Sequence, residues 1–149
     1  NLRLVGIQRR GVTLAKMLRE MIEQVEGVKL PLGVLDITFY RDDLSILSEH
    51  PVVNATDLPF QVQDARIVMV NDVLFSGRTA RAAMDAICDM GRPSCIQLAV
   101  MVDRGHRELP IRADYVGKNL PTSKNELVGV RVPEFDGDMS VVLYDKRSE

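Results

Sequence analysis

The sequence predicts an α/β domain in which helices flank a mostly parallel central sheet. Three observations carry that expectation. Strand-like and helix-like patterns alternate from Leu2 to Val102. The apolar runs Ile67 to Val70 and Ile96 to Val102 are continuous rather than alternating, as in strands covered on both faces. The 149 residues, 46% of them hydrophobic, suffice for one domain with a core of its own. Strand, helix, strand, helix, strand implies right-handed crossovers and parallel pairing.

Leu2 to Ile7 reads as the first strand, already core-like although the chain begins at Asn1 without Met. After Gly11, apolar residues recur at three- and four-residue intervals (Leu14, Leu18, Met21, Ile22, Val25), which predicts an amphipathic helix stopped by Gly27. Leu32 to Phe39 alternates in part and predicts a second strand. From Tyr40 to Gln63 the periodicity fails, and unstructured stretches this long inside a compact domain usually serve as functional lids. Ile67 to Val70 predicts a buried strand. Ala80, Ala83, Met84, Ile87 and Met90 predict a second amphipathic helix, ended by Gly91 and Pro93. Ile96 to Val102 predicts another buried strand. Tyr115 to Val116, Leu127 to Val132 and Ser140 to Tyr144 predict short strands, separated by Pro121, Pro133 and the Asp136-Gly137-Asp138 turn. That turn lacks the later ligands of a calcium loop. Met17, Met21, Met84 and Met90 fall at helical spacing and are expected in the core.

Composition narrows the function classes. The apolar runs fall far short of the ~18 residues a membrane span needs, no hydrophobic leader precedes them, and a cytoplasmic location is expected. Cys88 and Cys95 suit neither a disulfide scaffold nor a four-ligand zinc site and are expected as reduced, buried thiols. A formal net charge of −2 disfavours nucleic-acid binding by bulk electrostatics and leaves room for a local basic patch. The only histidines are His50 and His106, so no Ser-His-Asp nucleophile is available.

In parallel α/β sheets, ligands bind beyond the carboxyl ends of the strands. Three segments directly follow predicted strands: Gln8-Arg9-Arg10-Gly11, Asn71 to Thr79 and Asp103-Arg104-Gly105. The second is the most informative. A buried strand delivers Asn71 and Asp72, and the chain then turns through Val73, Leu74, Phe75, Ser76 and Gly77 into Arg78 and Thr79 at a helix start. Helical N–H groups with the Ser76 and Thr79 hydroxyls suit a phosphate, while the Asp72 carboxylate suits a sugar diol. Together they describe a ribose 5-phosphate. The bare alternative is a strand-to-helix turn with Thr79 as its cap. A second cluster, Arg104, His106, Arg107, Arg112, Lys118 and Lys124, reads either as a solvated polar face or as a nucleic-acid surface.

Ile67 to Thr79 resembles the phosphoribosyl pyrophosphate (PRPP) signature of type I phosphoribosyltransferases. Leu35 to Leu44, Asp103 to Asp114 and Val116 to Ser123 are similar to a narrower family of pyrimidine operon regulators that also act as uracil phosphoribosyltransferases. The resemblance covers nearly the whole chain as a single domain, residues 1–149. It implies the type I fold with a small hood built from the chain ends, a further N-terminal segment, and a loop after Tyr40 that is a few residues short here. The reaction implied is uracil plus PRPP giving UMP and pyrophosphate.

By the same resemblance, Gly6 to Gly11 is the pyrophosphate loop, with Arg9 and Arg10 on the leaving group. Tyr40 and Arg41 begin the lid that excludes water, Arg41 acting in catalysis with Arg9 and Asp72. Asp72 binds the ribose hydroxyls, Ser76 to Thr79 the 5-phosphate, and Val102, Asp103 and Arg104 position uracil, largely through main chain. Magnesium is bound mainly through PRPP, with no direct protein ligand set. His106, Arg107, Arg112 and Lys118 form the surface for a messenger RNA hairpin, under UMP control, in a homodimer or higher homo-oligomer. One departure stands out: Asn71 occupies a position where the family pattern is acidic. An uncharged amide there should weaken turnover more than UMP binding. The alternatives are an RNA-binding sensor with little catalysis and a salvage enzyme, for instance for a purine base, with no RNA role.

Overall fold

The computed structural model describes residues 1–38 and 56–145, so the expected lid with Tyr40 and Arg41 lies outside the described residues. Five strands pair in parallel: β1 (Leu2–Ile7), β2 (Leu32–Leu35), β3 (Arg66–Leu74), β4 (Cys95–Asp103) and β5 (Tyr115–Asn119). Their spatial order is β2-β1-β3-β4-β5. Helix α1 (Arg10–Glu26) and helix α2 (Arg78–Cys88) connect β1 to β2 and β3 to β4.

Alternation along the strands sorts the core into two layers. Val5, Ile7, Ile67, Met69 and Leu98 join α2 through Ala80, Ala83, Ala86 and Ile87. Leu4 and Val68 face Leu18 and Ile22 of α1, and Val70 packs with Leu14 and Ala15. The buried face of α2 is rich in alanine. Each large aliphatic side chain buried in these layers contributes about 1.5–3 kcal/mol. Gly27, at φ 70°, ends α1 in the left-handed conformation and donates to the Glu23 carbonyl.

Two further strands, β6 (Glu126–Arg131) and β7 (Ser140–Asp145), form a separate antiparallel hairpin. One helical turn, α3 (Pro133–Asp136), lies between them. Val130 and Val132 seat this hairpin on Val70, Val102 and Leu14, so the expected hood is formed here by the hairpin. A cavity of about 510 Å³ lies between α1 and the sheet and is lined almost wholly by apolar side chains, including Met17, Leu18, Met101 and Val116.

Several boundaries and burials differ from expectation. β3 runs on through Asn71 and Asp72 to Leu74, because its backbone pairing with β4 continues after its side chains turn polar. β2 stops at Leu35, and α2 stops at Cys88, before Gly91. Met21 and Met90 are exposed, Met21 at the open cavity between α1 and the sheet and Met90 beyond the end of α2. The thiols of Cys88 and Cys95 are free as expected, but exposed rather than buried. Cys88 is the last residue of α2, and Cys95 opens β4 at the rim of the sheet.

Candidate functional site

Strands β1 and β3 are neighbours whose following helices leave toward opposite faces of the sheet. Such a switch in direction opens a crevice at the carboxyl ends of the two strands, the usual ligand position in open α/β sheets. Two glycines keep it tight. A Cβ on Gly6 would come within 2.6 Å of Val12 Cα, and one on Gly11 would run into the Val70 carbonyl oxygen. These residues therefore place the start of α1 against the ends of β1 and β3. The loop proper is only Gln8 and Arg9, joined by a cis peptide, with Gly6 inside β1 and Gly11 inside α1.

On the β3 side, Asn71 is buried and Asp72 half-buried. Burial raises the Asp72 carboxyl above its ordinary range, although the Val73 N–H donates to it at 2.8 Å and Arg10 also favours the charged form. The chain then turns through Ser76 into Gly77, which caps α2 at φ 95° with no side-chain cap bond. Thr79 is thus a first-turn residue and not the cap. Ser76 Oγ accepts from the Arg78 N–H at 3.2 Å. A cleft of about 180 Å³ opens here, lined by Ser76, Gly77, Arg78, Thr79 and Glu108. The other first-turn amides and two hydroxyls can bind a phosphate in it.

A second cleft, about 330 Å³, is lined by Gln8, Asp36, Thr38, Asn71, Asp72 and Thr79. Asn71, Val73 and Thr79 line both, so phosphate chemistry and carboxylate chemistry share one crevice. The sequence alone does not single out Asp36 and Thr38 as site residues. Asp36 Oδ1 accepts from Thr38 N–H at 3.0 Å and from Thr38 Oγ1 at 2.6 Å, which fixes the wall opposite Asp72.

The cations at the start of α1 meet the C-terminal hairpin. Arg10 forms a two-pronged ion pair with Asp136, at 2.8 and 3.2 Å, and Thr13 Oγ1 donates to Glu134. The Arg9 guanidinium lies 4.2 Å from the centre of the Phe135 ring. Asp136 also accepts from the Val132 N–H at 2.8 Å. The Arg10 hydrogen bond, with this backbone donor, holds the Asp136 carboxyl below the usual range. A reading of Asp136-Gly137-Asp138 as a simple turn misses this, because the Arg10 partner lies 126 residues away.

The segment after β4 is braced from within. Val102 is in the core beside Val70, so only its main chain faces outward chemistry. Arg104 is buried, stacks 4.3 Å from the Phe75 ring centre, and donates to Thr122 Oγ1 and the Ser123 carbonyl. His106 Nε2 lies 2.6 Å from the Thr122 carbonyl oxygen. Arg107 donates to the carbonyls of Ile111 and Phe75 and to Asp103, at 2.8, 2.9 and 2.7 Å. Burial works against the charge of Asp103, but Arg107 and the Gly105 N–H outweigh it and lower the carboxyl. Arg112, Lys118 and Lys124 are exposed and have no ion pair or side-chain hydrogen bond among the described residues. The basic cluster thus divides: Arg104, His106 and Arg107 tie loops together, whereas Arg112, Lys118 and Lys124 face solvent.

Residues 1–134 match the family model for the phosphoribosyl transferase domain. The chain is 68% identical over 143 residues to the bifunctional protein PyrR of Caldicellulosiruptor bescii, covering 96% of this chain and 79% of that protein. It is 56% identical over 145 residues to the bifunctional protein PyrR of Deinococcus radiodurans, covering 97% and 79%. Among solved structures, a hypoxanthine phosphoribosyltransferase from Trypanosoma cruzi in a ternary substrates complex superposes with a TM-score of 0.72 at 20% identity, covering 98% of this chain and 77% of that one. One from Staphylococcus aureus gives 0.64 at 20% identity, covering 93% and 73%. At these identities the superpositions speak to the fold alone.

Proposed function

The chain belongs to the phosphoribosyl transferase domain family and, within it, to the bifunctional PyrR proteins, and from that membership we propose how its crevice works. It is a pyrimidine operon regulator with uracil phosphoribosyltransferase activity, forming UMP and pyrophosphate from uracil and PRPP. The observation that carries the site reading is the single crevice with Asp72 at one end and the glycine-capped start of α2 at the other.

In this reading the Ser76 to Thr79 turn holds the 5-phosphate of PRPP through backbone amides and two hydroxyls. Asp72 accepts hydrogen bonds from the ribose hydroxyls, which orients the sugar over the ends of β1 and β3. Gln8, Arg9 and Arg10 face the departing pyrophosphate, and main chain around Val102, Asp103 and Arg104 positions uracil. Rate enhancement comes from positioning and from charge placed before the reaction begins, since a cation-like ribosyl centre develops near the Asp72 carboxylate. A lid that excludes water, with Tyr40 and Arg41, belongs to the same proposal.

One half-buried carboxylate beside one amide fits a magnesium ion that takes most of its ligands from substrate oxygens and water. Asp72 would hold such an ion, which when bound partly neutralises the pyrophosphate leaving group. Among the described residues no group of three His, Cys, Asp or Glu side chains suits a metal by itself.

The RNA half of the proposal rests on Arg112 and Lys118, whose exposed charges are available to phosphates, with His106 and Arg107 shaping the loop beside them. Its ligand is a pyrimidine operon messenger RNA hairpin, bound under UMP control by a cytoplasmic homodimer or higher homo-oligomer. No helix among the described residues is long and apolar enough to cross a membrane. The test pairs a turnover assay with hairpin binding. Magnesium-dependent conversion of labelled uracil to UMP is expected, with hairpin affinity rising when UMP is added. No UMP at any PRPP concentration would sink the enzymatic reading.

A further inference from the structure

We infer that the exposed Phe75 ring, with His106 beside it, is a stacking platform for one unpaired base of the messenger RNA hairpin. On the RNA reading proposed above, this adds a base contact to a surface otherwise marked by its cations alone. An exposed apolar ring is in itself ordinary on a protein surface. Phe75 differs in how it is mounted.

The ring is 38% exposed, in the turn between β3 and α2. Arg104, which is buried, lies over it with the guanidinium carbon 4.3 Å from the ring centre. That guanidinium is fixed in turn by Thr122 Oγ1 and the Ser123 carbonyl, at 3.2 and 3.1 Å. The Arg104 N–H donates to the Leu74 carbonyl at 3.1 Å, and Arg107 donates to the Phe75 carbonyl at 2.9 Å, so the backbone under the ring is held as well. The His106 ring stands 6.1 Å away, tilted by 58°, with Nε2 anchored on the Thr122 carbonyl. Bracing of this kind fixes the ring in one position while leaving it open to water. A group ordered in advance loses little freedom when a partner arrives.

The surroundings select the partner. Ile111 packs on the same turn, where a Cβ on Gly77 would come within 3.3 Å of it, and this brings Arg112 next to the turn. Lys118 pairs with Val102, two residues before Arg104. Both cations are exposed and have no ion pair or side-chain hydrogen bond among the described residues. Free cations around a fixed aromatic ring suit unpaired nucleic acid, in which phosphates take the cations and splayed bases take the ring. A base inside a paired stem is already stacked and cannot reach the ring, so the platform takes a base from a loop or bulge.

Hairpin binding by the full chain at saturating UMP, with each unpaired nucleotide replaced in turn by an abasic one, tests the inference. One such replacement should cost the natural protein about tenfold in affinity. Phe75→Leu should cost a similar factor and make that replacement neutral, whereas Phe75→Tyr should behave as the natural protein does. Because no charge is removed, the slope of log affinity against log salt should not change in Phe75→Leu. Phe75→Trp introduces the sole tryptophan of these 149 residues. Its fluorescence should be quenched by the hairpin and not by the sensitive abasic version. Absence of any sensitive position, or one that stays equally costly in Phe75→Leu, overturns the stacking role. Failure of the natural protein to bind the hairpin at all instead overturns the RNA reading and the inference with it.

Discussion

Asn71 and Asp72 carry the charge question of the crevice at the level of single residues. Asn71 is buried, and among the described residues its amide makes one long hydrogen bond, 3.4 Å to the Val73 carbonyl. Beside it, burial already lifts the Asp72 carboxyl above its ordinary range. An acid at position 71 would add a second negative charge that water solvates poorly, and like charges this close oppose each other. In the free protein Asn71→Asp should therefore lower stability by about 1–3 kcal/mol. With magnesium and PRPP bound, the same charge would face cations, so turnover should rise by roughly tenfold while UMP affinity changes little. Thermal melts with and without magnesium, beside steady-state rates, check both halves; an Asn71→Asp variant with unchanged turnover contradicts the role given to this position. Asp72, Ser76, Gly77 and Thr79 are legible from sequence because a buried strand running into a Gly turn is a local signal. Asp36, Glu108 and Asp136 are not, since their significance comes from partners distant in the chain, as in the Arg78–Glu108 and Arg10–Asp136 pairs.

At the level of elements, continuous apolar runs locate β3 and β4, and the three-to-four spacing locates α1 and α2. The pattern fails where backbone and side chains part company. Asn71 pairs with Val100, and Leu74 with Asp103, so β3 continues through residues whose polarity suggests a loop. The hairpin is legible as two strands and a turn, but not as a clamp on α1. Asp136 joins the two: it accepts from Arg10 and also from the Val132 N–H inside its own turn. Its carboxyl titrates lower in the folded protein than in the unfolded chain, so it contributes stability above the ordinary carboxylate range, and that contribution is lost as pH falls through the depressed value. Asp136→Asn should melt below the natural protein at neutral pH, and the two curves should converge in acid, below about pH 4. Because Arg10 then loses the two-pronged partner that holds it at the pyrophosphate loop, the KM for PRPP should rise by roughly tenfold. UMP lacks pyrophosphate, so its affinity should hold. Equal loss of UMP and PRPP affinity would show that the hairpin supports the domain in general rather than the α1 cations.

These 149 residues together carry a formal charge of −2, and that balance bears on what kind of RNA binding they can perform. Strand order, which no local pattern reveals, gathers the ends of β1, β3 and β4 on one side and sets the 103–123 segment beside the phosphate turn. Sequence alone groups His106, Arg107, Arg112 and Lys118 as one surface, because it shows charge and not commitment. The Arg107 guanidinium is spent on Phe75, Ile111 and Asp103, so Arg107→Ala should loosen the phosphate loop, lower the melting temperature and reduce UMP affinity along with RNA binding. Arg112 and Lys118 have no such internal duty among the described residues. Replacing both with Ala should leave melting and UMP formation unchanged while weakening hairpin binding. If each meets one phosphate, the slope of log affinity against log salt should fall by about 0.7–0.9 for each cation removed. An acidic protein gains nothing from long-range attraction to RNA, so these few exposed cations should dominate that slope. Hairpin binding with the same slope in the double variant would move the RNA surface to another face of the molecule.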